Sequence, residues 1–300
     1  MERSAVLAVR DTAHNRDVLV RVDFPSGAPQ PLPVVLFSPG GGINPNGHEG
    51  NPSWGNTLAT AGFAVIRLNA ADIAHGTYCA EFQVPAAECE GVDFSQEVAD
   101  GGSLPAVMIA RPRDASAVLD QLGLIANQIG VALDPSRVAM AGYSSGAHTA
   151  MVTAGARVDL SPTVRGISLA DPRFLAYLAL SPQGIGRLGF NVSSWEGITK
   201  PVLTQTGSND YAVNQTPDTR QHPYTFMPPG DKYQAFFISP EATHFTFSLE
   251  NSSSYLTNFI GRNAVAFFDA YLRGLPAARA WLTTNQLGIW SASIGQMSAK

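Results

Sequence analysis

The stretch that most constrains this chain is Arg137–Ala150, RVAMAGYSSGAHTA. It opens as a short apolar run suited to a buried strand. It passes through Gly142-Tyr143-Ser144-Ser145-Gly146 and closes on small residues suited to a closely packed helix. G-x-S-x-G between strand and helix is a sharp turn that lifts the middle side chain above the sheet edge. Glycine on either side removes Cβ atoms that would collide in so tight a bend. The spacing selects Ser144 as the raised hydroxyl. Ser145 then offers its backbone N–H at the positive end of the helix.

The surrounding pattern supports a strand–helix alternation. SAVLAV and DVLVRVDF read as an opening antiparallel pair. PVVLFS, FAVIRLN, RVAMAG, LAYLALS, PVLTQTG and YQAFFIS are nearly continuous apolar runs, as strands buried on both faces require. Helical spacing appears in SWGNTLATAG, RPRDASAVLDQLGLI, SGAHTAMVTAGA and TNFIGRNAVAFFDAYL. The expected fold class is α/β, a mostly parallel central sheet with helices on both faces. No linker or internal repeat divides the chain, so residues 1–300 read as one domain. A long acidic loop insertion at 74–103 interrupts the rhythm.

A hydroxyl needs a base, and a base needs an orienting acid. In a sheet of this kind the acid and the histidine follow the serine, each on a loop after a later strand. PVLTQT leads into GSNDYAV and presents Asp210; YQAFFIS leads into PEATHFTF and presents His244. His148 lies one helical turn after Ser144, beside the helix rather than in line with the hydroxyl. Asp171 and Asp231 precede strands and belong at the opposite end of the sheet. The loop after PVVLFS, PGGGINPNG, supplies backbone N–H groups for an oxyanion, with Gly41 the first choice and Gly42 the second. Tyr143, Tyr211, Phe245 and Trp195 are expected around the pocket, with Gly42. GIGRLG at 184–189 imitates a dinucleotide fingerprint, but no helix pattern follows it.

Composition narrows the class of partner. The net charge is −5, charged residues make up 14%, and no basic block occurs, which argues against nucleic acid. No apolar run is long enough to span a membrane. No metal-ligand spacing appears, and neither metal nor cofactor is expected. The first residues lack the apolar core of a signal peptide, so the chain is expected inside the cell unless a leader was trimmed. Cys79 and Cys89 leave the compartment open: unpaired thiols fit the cytoplasm, a disulfide fits a periplasmic or secreted protein.

RDTAHNRDVLVRVDFPSG, PVVLFSPGGG, RPRDASAVLDQL, DPSRVAMAGYSSGAHTAM, LALSPQGIGRLGF, ITKPVLTQTGSNDY and PPGDKYQAFFISPEATHF together cover most of the chain. In these phrases the chain resembles the α/β-hydrolase superfamily. Within it, the chain is similar to bacterial esterases like platelet-activating-factor acetylhydrolase, often grouped with dienelactone hydrolases. The resemblance implies the α/β-hydrolase fold and a metal-free serine carboxyl-ester hydrolase. Its nucleophile, acid and base would be Ser144, Asp210 and His244, and the Gly41 N–H would serve the oxyanion. Pro39-Gly40 stands where that group has His-Gly, and Tyr143 where it more often has His. Small to medium apolar or aromatic esters are the expected substrates. Polyester cleavage, acyl transfer to another alcohol, and a catalytically silent binding module are the alternatives.

Overall fold

A computed structural model describes residues 2–42, 46–69, 80–85, 88, 105–212, 214–250 and 254–300. Strands β1 (Glu2–Asp11) and β2 (Arg16–Pro25) form the antiparallel pair anticipated above. They are followed by β3 (Leu32–Ser38), helix α1 (Pro52–Thr60) and β4 (Ala64–Leu68). Helices α2 (Pro105–Asp120) and α3 (Leu122–Ile129) then lead to β5 (Leu133–Tyr143) and α4 (Ser145–Thr153). A two-stranded ribbon, β6 (Arg157–Val158) with β7 (Ile167–Ser168), precedes β8 (Ala176–Leu180) and β9 (Val202–Gly207). Two short helices, α5 (Pro217–Arg220) and α6 (His222–Phe226), separate β9 from β10 (Lys232–Phe237). The chain ends with α7 (Ser254–Leu272), α8 (Pro276–Thr283), α9 (Gln286–Trp290) and β11 (Gly295–Ala299).

Among the described residues nine strands make one sheet in the order β1-β2-β4-β3-β5-β8-β9-β10-β11. The block from β4 to β10 is parallel throughout, and antiparallel neighbours flank it at both edges. Parallel strands share one direction, so their carboxyl ends line up along one rim. The apolar runs alternate sides as a pleated strand must. In β3, Val34 and Leu36 face a core built with α2, α3 and α4; Val35 and Phe37 face a second core built with α1, α7, α8 and α9. Burial on both faces explains why these strands read as unbroken apolar runs rather than as an alternation.

Two elements depart from the sequence reading. RPRDASAVLDQLGLI is divided at Gln121 into α2 and α3. GQMSA carries no apolar run, so β11 has no strand signal in the sequence; it lies at the sheet edge with Gln296, Ser298 and Ala299 exposed. The insertion read at 74–103 lies largely outside the described residues. So do Cys79 and Cys89, and with them the question of a disulfide. Among the described residues no helix is long and apolar enough to cross a membrane.

Candidate active site

The carboxyl-end rim is assembled by hydrogen bonds that continue the ladder beyond the strands. Ser144 N–H donates to Leu180 O (2.9 Å), Ser181 N–H to Gln205 O (2.8 Å) and Ser208 N–H to Phe237 O (2.8 Å). Each loop that leaves a strand is thereby tied to the next strand. Asn209 also bridges to Thr243, joining the loop after β9 to the loop after β10.

Ser144 sits at φ 52°, ψ −119°, a conformation that costs a non-glycine residue roughly 1–3 kcal/mol. Its surroundings hold it there. A Cβ on Gly142 would lie 2.0 Å from Gly146 O, and one on Gly146 would lie 1.9 Å from Ser38 O. Both glycines are therefore required by close backbone approach. Helix α4 begins immediately after Ser144, and Ser145 N–H is one of the first-turn amides that a helix leaves without an internal partner.

His244 Nε2 lies 3.0 Å from Ser144 Oγ, and His244 Nδ1 lies 3.0 Å from Asp210 Oδ1. A carboxylate only accepts, so Asp210 requires the proton on Nδ1 and leaves the Nε2 lone pair facing the serine hydroxyl. The Asp210 side chain is fully buried. Burial alone would raise its pKa. The His244 hydrogen bond, the Arg220 charge and the Ser181 hydroxyl outweigh it and bring the carboxyl below the ordinary value. Thr206 Oγ1 donates to Asp210 Oδ2 (2.7 Å) and Ser181 Oγ donates to Oδ1 (2.8 Å). The Ser181 oxygen is also 2.7 Å from His244 Nδ1, which can share its proton between the two acceptors. Arg220 Nε stands 3.3 Å from Asp210 Oδ1.

The loop after β3 is gripped from below. Arg111, 5% exposed, donates to Pro39 O (3.1 Å), Gly41 O (2.8 Å) and Gly42 O (2.8 Å). A trans peptide points its carbonyl and its N–H to opposite sides. The Gly41 carbonyl bound by Arg111 therefore turns the Gly42 N–H away from Arg111. Gly40 N–H is held by Asn51 Oδ1 (3.3 Å), and a Cβ on Gly40 would lie 3.4 Å from the Ser144 Cβ. That places the loop beside the serine.

Of the residues expected around the pocket, Tyr211 and Phe245 are 60% and 71% exposed, one after the acid and one after the histidine. Gly41 is exposed and Gly42 half-buried. Tyr143 is buried instead: its ring lies 5.3 Å from that of His244 and its hydroxyl donates to His244 O (3.1 Å). It props the histidine rather than lining a rim, because the end of β5 runs beneath that loop. Trp195 is a correction. It is fully buried in the core beside α4, packed on Phe190 and Phe226, and has no surface to offer a substrate.

The competing groups are placed elsewhere. His148 is buried against Phe190 with Nε2 3.0 Å from Leu188 O, and burial, helped by Arg111 and Arg187, lowers its pKa to about 3. Asp171 pairs with Arg173 and Asp231 with Arg279, each before its strand. Residues 184–189 run in turns with no helix after them. Among the described residues no group of three His, Cys, Asp or Glu could hold a metal ion.

Sequence reasoning missed Ser181, Thr206, Arg220 and Arg111. Ser181 carried a signal, since it too follows a parallel strand at the same rim. The others become visible only once distant segments meet. Comparison with known family models and with curated proteins finds no match to this chain.

Proposed function

We propose that this chain is a serine esterase of the α/β-hydrolase fold, hydrolysing carboxyl esters through an acyl-enzyme on Ser144. The observation that carries the reading is the continuous line from Ser144 Oγ through His244 to Asp210, with both links at 3.0 Å. Ser144 Oγ attacks the ester carbonyl carbon as His244 Nε2 takes the hydroxyl proton. Asp210 holds the ring and stabilises the imidazolium that forms. The carbonyl oxygen becomes an oxyanion, facing the Ser145 N–H and the amides of the Gly41–Gly42 turn. The carbon–oxygen bond then breaks, and the alcohol leaves with the proton from His244. Water attacks the acyl group by the same route and restores Ser144. Tyr211 and Phe245 offer apolar ring surface beside the site, which suits small to medium apolar or aromatic esters.

The test is labelling with a fluorophosphonate together with turnover of a panel of aryl and alkyl esters. We expect one adduct, on Ser144, and no labelling or hydrolysis by folded Ser144→Ala. Asp210→Asn should lower turnover by roughly four orders of magnitude. Turnover of Asp210→Asn within tenfold of wild type would mean that another group orients the histidine. An unlabelled, folded wild type would favour a silent binding module. Transfer to an added alcohol faster than hydrolysis would make it an acyltransferase.

A further inference from the structure

Arg220 ends α5, which a reciprocal Thr216–Thr219 capping box holds in place. Its side chain is 1% exposed. Nη1 donates to Ser181 O (3.2 Å) and Pro182 O (3.1 Å), and Nη2 donates to Ala212 O (3.1 Å). Those carbonyls belong to the loops after β8 and β9, so one planar guanidinium spans both. Its inner edge faces the candidate triad, with Nε 3.3 Å from Asp210 Oδ1 and Nη2 3.4 Å from His244 Nδ1. Once Nδ1 carries the proton that Asp210 accepts, Nη2 and Nδ1 are both donors. The guanidinium then meets the ring as a charge rather than as a hydrogen-bond partner.

Among the described residues, three titratable groups face the imidazole from the elements packed around it. Asp210 comes from the loop after β9, Arg220 from α5 and Tyr143 from the end of β5. Burial raises the Tyr143 phenol further, so it stays neutral. Burial also lowers the Arg220 guanidinium, Asp210 opposes that, and the group remains a cation. Among the described residues the imidazole therefore meets one negative and one positive charge, both inside the protein.

We infer that Arg220 is a positioning residue of the Ser144 site, whose clamp fixes the loop carrying Asp210 and whose charge offsets that carboxylate at His244. The electrostatic part stands on its own. Its bearing on catalysis rests on the esterase reading. An Asp–His pair alone favours the protonated ring. The added cation opposes any positive charge on that ring, the imidazolium formed during attack included.

Carbon-detected NMR titration of the full chain reads this without turnover. The His244 Cε1–H signal is identified by its loss in His244→Gln. Arg220→Gln should raise the His244 midpoint by about one pH unit, solvent and relaxation reducing the unscreened effect of a charge this close. Arg220→Lys keeps the charge and loses the planar clamp. Its midpoint should stay within about 0.3 units of wild type, while hydrolysis slows about tenfold because the acid loop is loosened. An unmoved or lowered midpoint in Arg220→Gln, or equal shifts in both variants, would overturn the inference. Should Arg220→Gln fail to fold, comparing Asp210→Asn with Asp210→Asn/Arg220→Gln carries the same test, since removing both charges orphans neither. The double variant should then titrate higher than the single one, and an equal or lower midpoint would refute the inference. A wild type without esterase activity would sink the functional proposal and leave this titration result standing.

Discussion

Gly146→Ala tests why the serine turn has its shape. The new Cβ would lie 1.9 Å from Ser38 O, 2.5 Å from Ser38 C and 2.9 Å from Pro39 O. All are backbone atoms, so no flexible side chain can swing aside. An ordinary contact is 3.4 Å, so α4 and the end of β3 must part by about 1.5 Å (3.4 − 1.9). Overpacking of this kind typically costs about 1–3 kcal/mol, and a clash confined to backbone belongs at or above the upper end. The displacement falls on Pro39, where the Arg111-held loop begins. A misplacement of about 1 Å at a reacting site can slow it by about a hundredfold. Urea unfolding reads the first effect, and the rate of fluorophosphonate labelling reads the second. Gly41→Ala is the contrast: its Cβ meets nothing within 4 Å, and only its φ of 81° opposes the change. It should cost about 1 kcal/mol. A Gly146→Ala protein within about 1 kcal/mol of wild type, labelled at an unchanged rate, would refute the close-approach argument.

Two further outcomes follow from the geometry. His148 folds with a pKa of about 3, below its ordinary 6.5, so the unfolded chain binds the extra proton between those values. Its contribution to stability is complete above about pH 6.5 and is lost as pH falls toward 3. His222, half-buried and also lowered by burial, acts with the same sign. Asp114, raised by burial to about 7, acts with the opposite sign over the same range, so the difference between proteins is the readout: from pH 7 to 5 the denaturation midpoint of wild type should fall relative to that of His148→Gln, and equal slopes would assign the effect elsewhere. Phe245→Ala and Tyr211→Ala remove exposed rings beside the site and should raise KM for aryl esters with kcat little changed, as loss of uniform binding does. Steady-state kinetics showing the loss in kcat instead would place those rings in the chemistry.

The parallel block was legible because burial on both faces writes strands as unbroken apolar runs, and Val34–Ser38 and Ala176–Leu180 are buried throughout. The site was legible for a topological reason. Once Ser144 is fixed at the end of β5, only residues that follow parallel strands share its rim, and Asp210 and His244 are two of them. Side-chain direction was less readable. Tyr143 and Trp195 look alike as aromatic candidates in the sequence, yet one turns under His244 and the other into the core. Arg111 and Arg220 were silent because their work is done on carbonyl oxygens of remote loops, and a carbonyl leaves no mark in a sequence.

β11 returns antiparallel along β10, pairing Tyr233 with Ala299 through Phe237 with Gly295. The strand that delivers His244 is thus never the margin of the sheet. Without that last ribbon, its amides and carbonyls would stand bare, an invitation to pair with a neighbouring molecule. Strand β11 therefore keeps separate molecules from zipping together at the very strand on which the histidine depends.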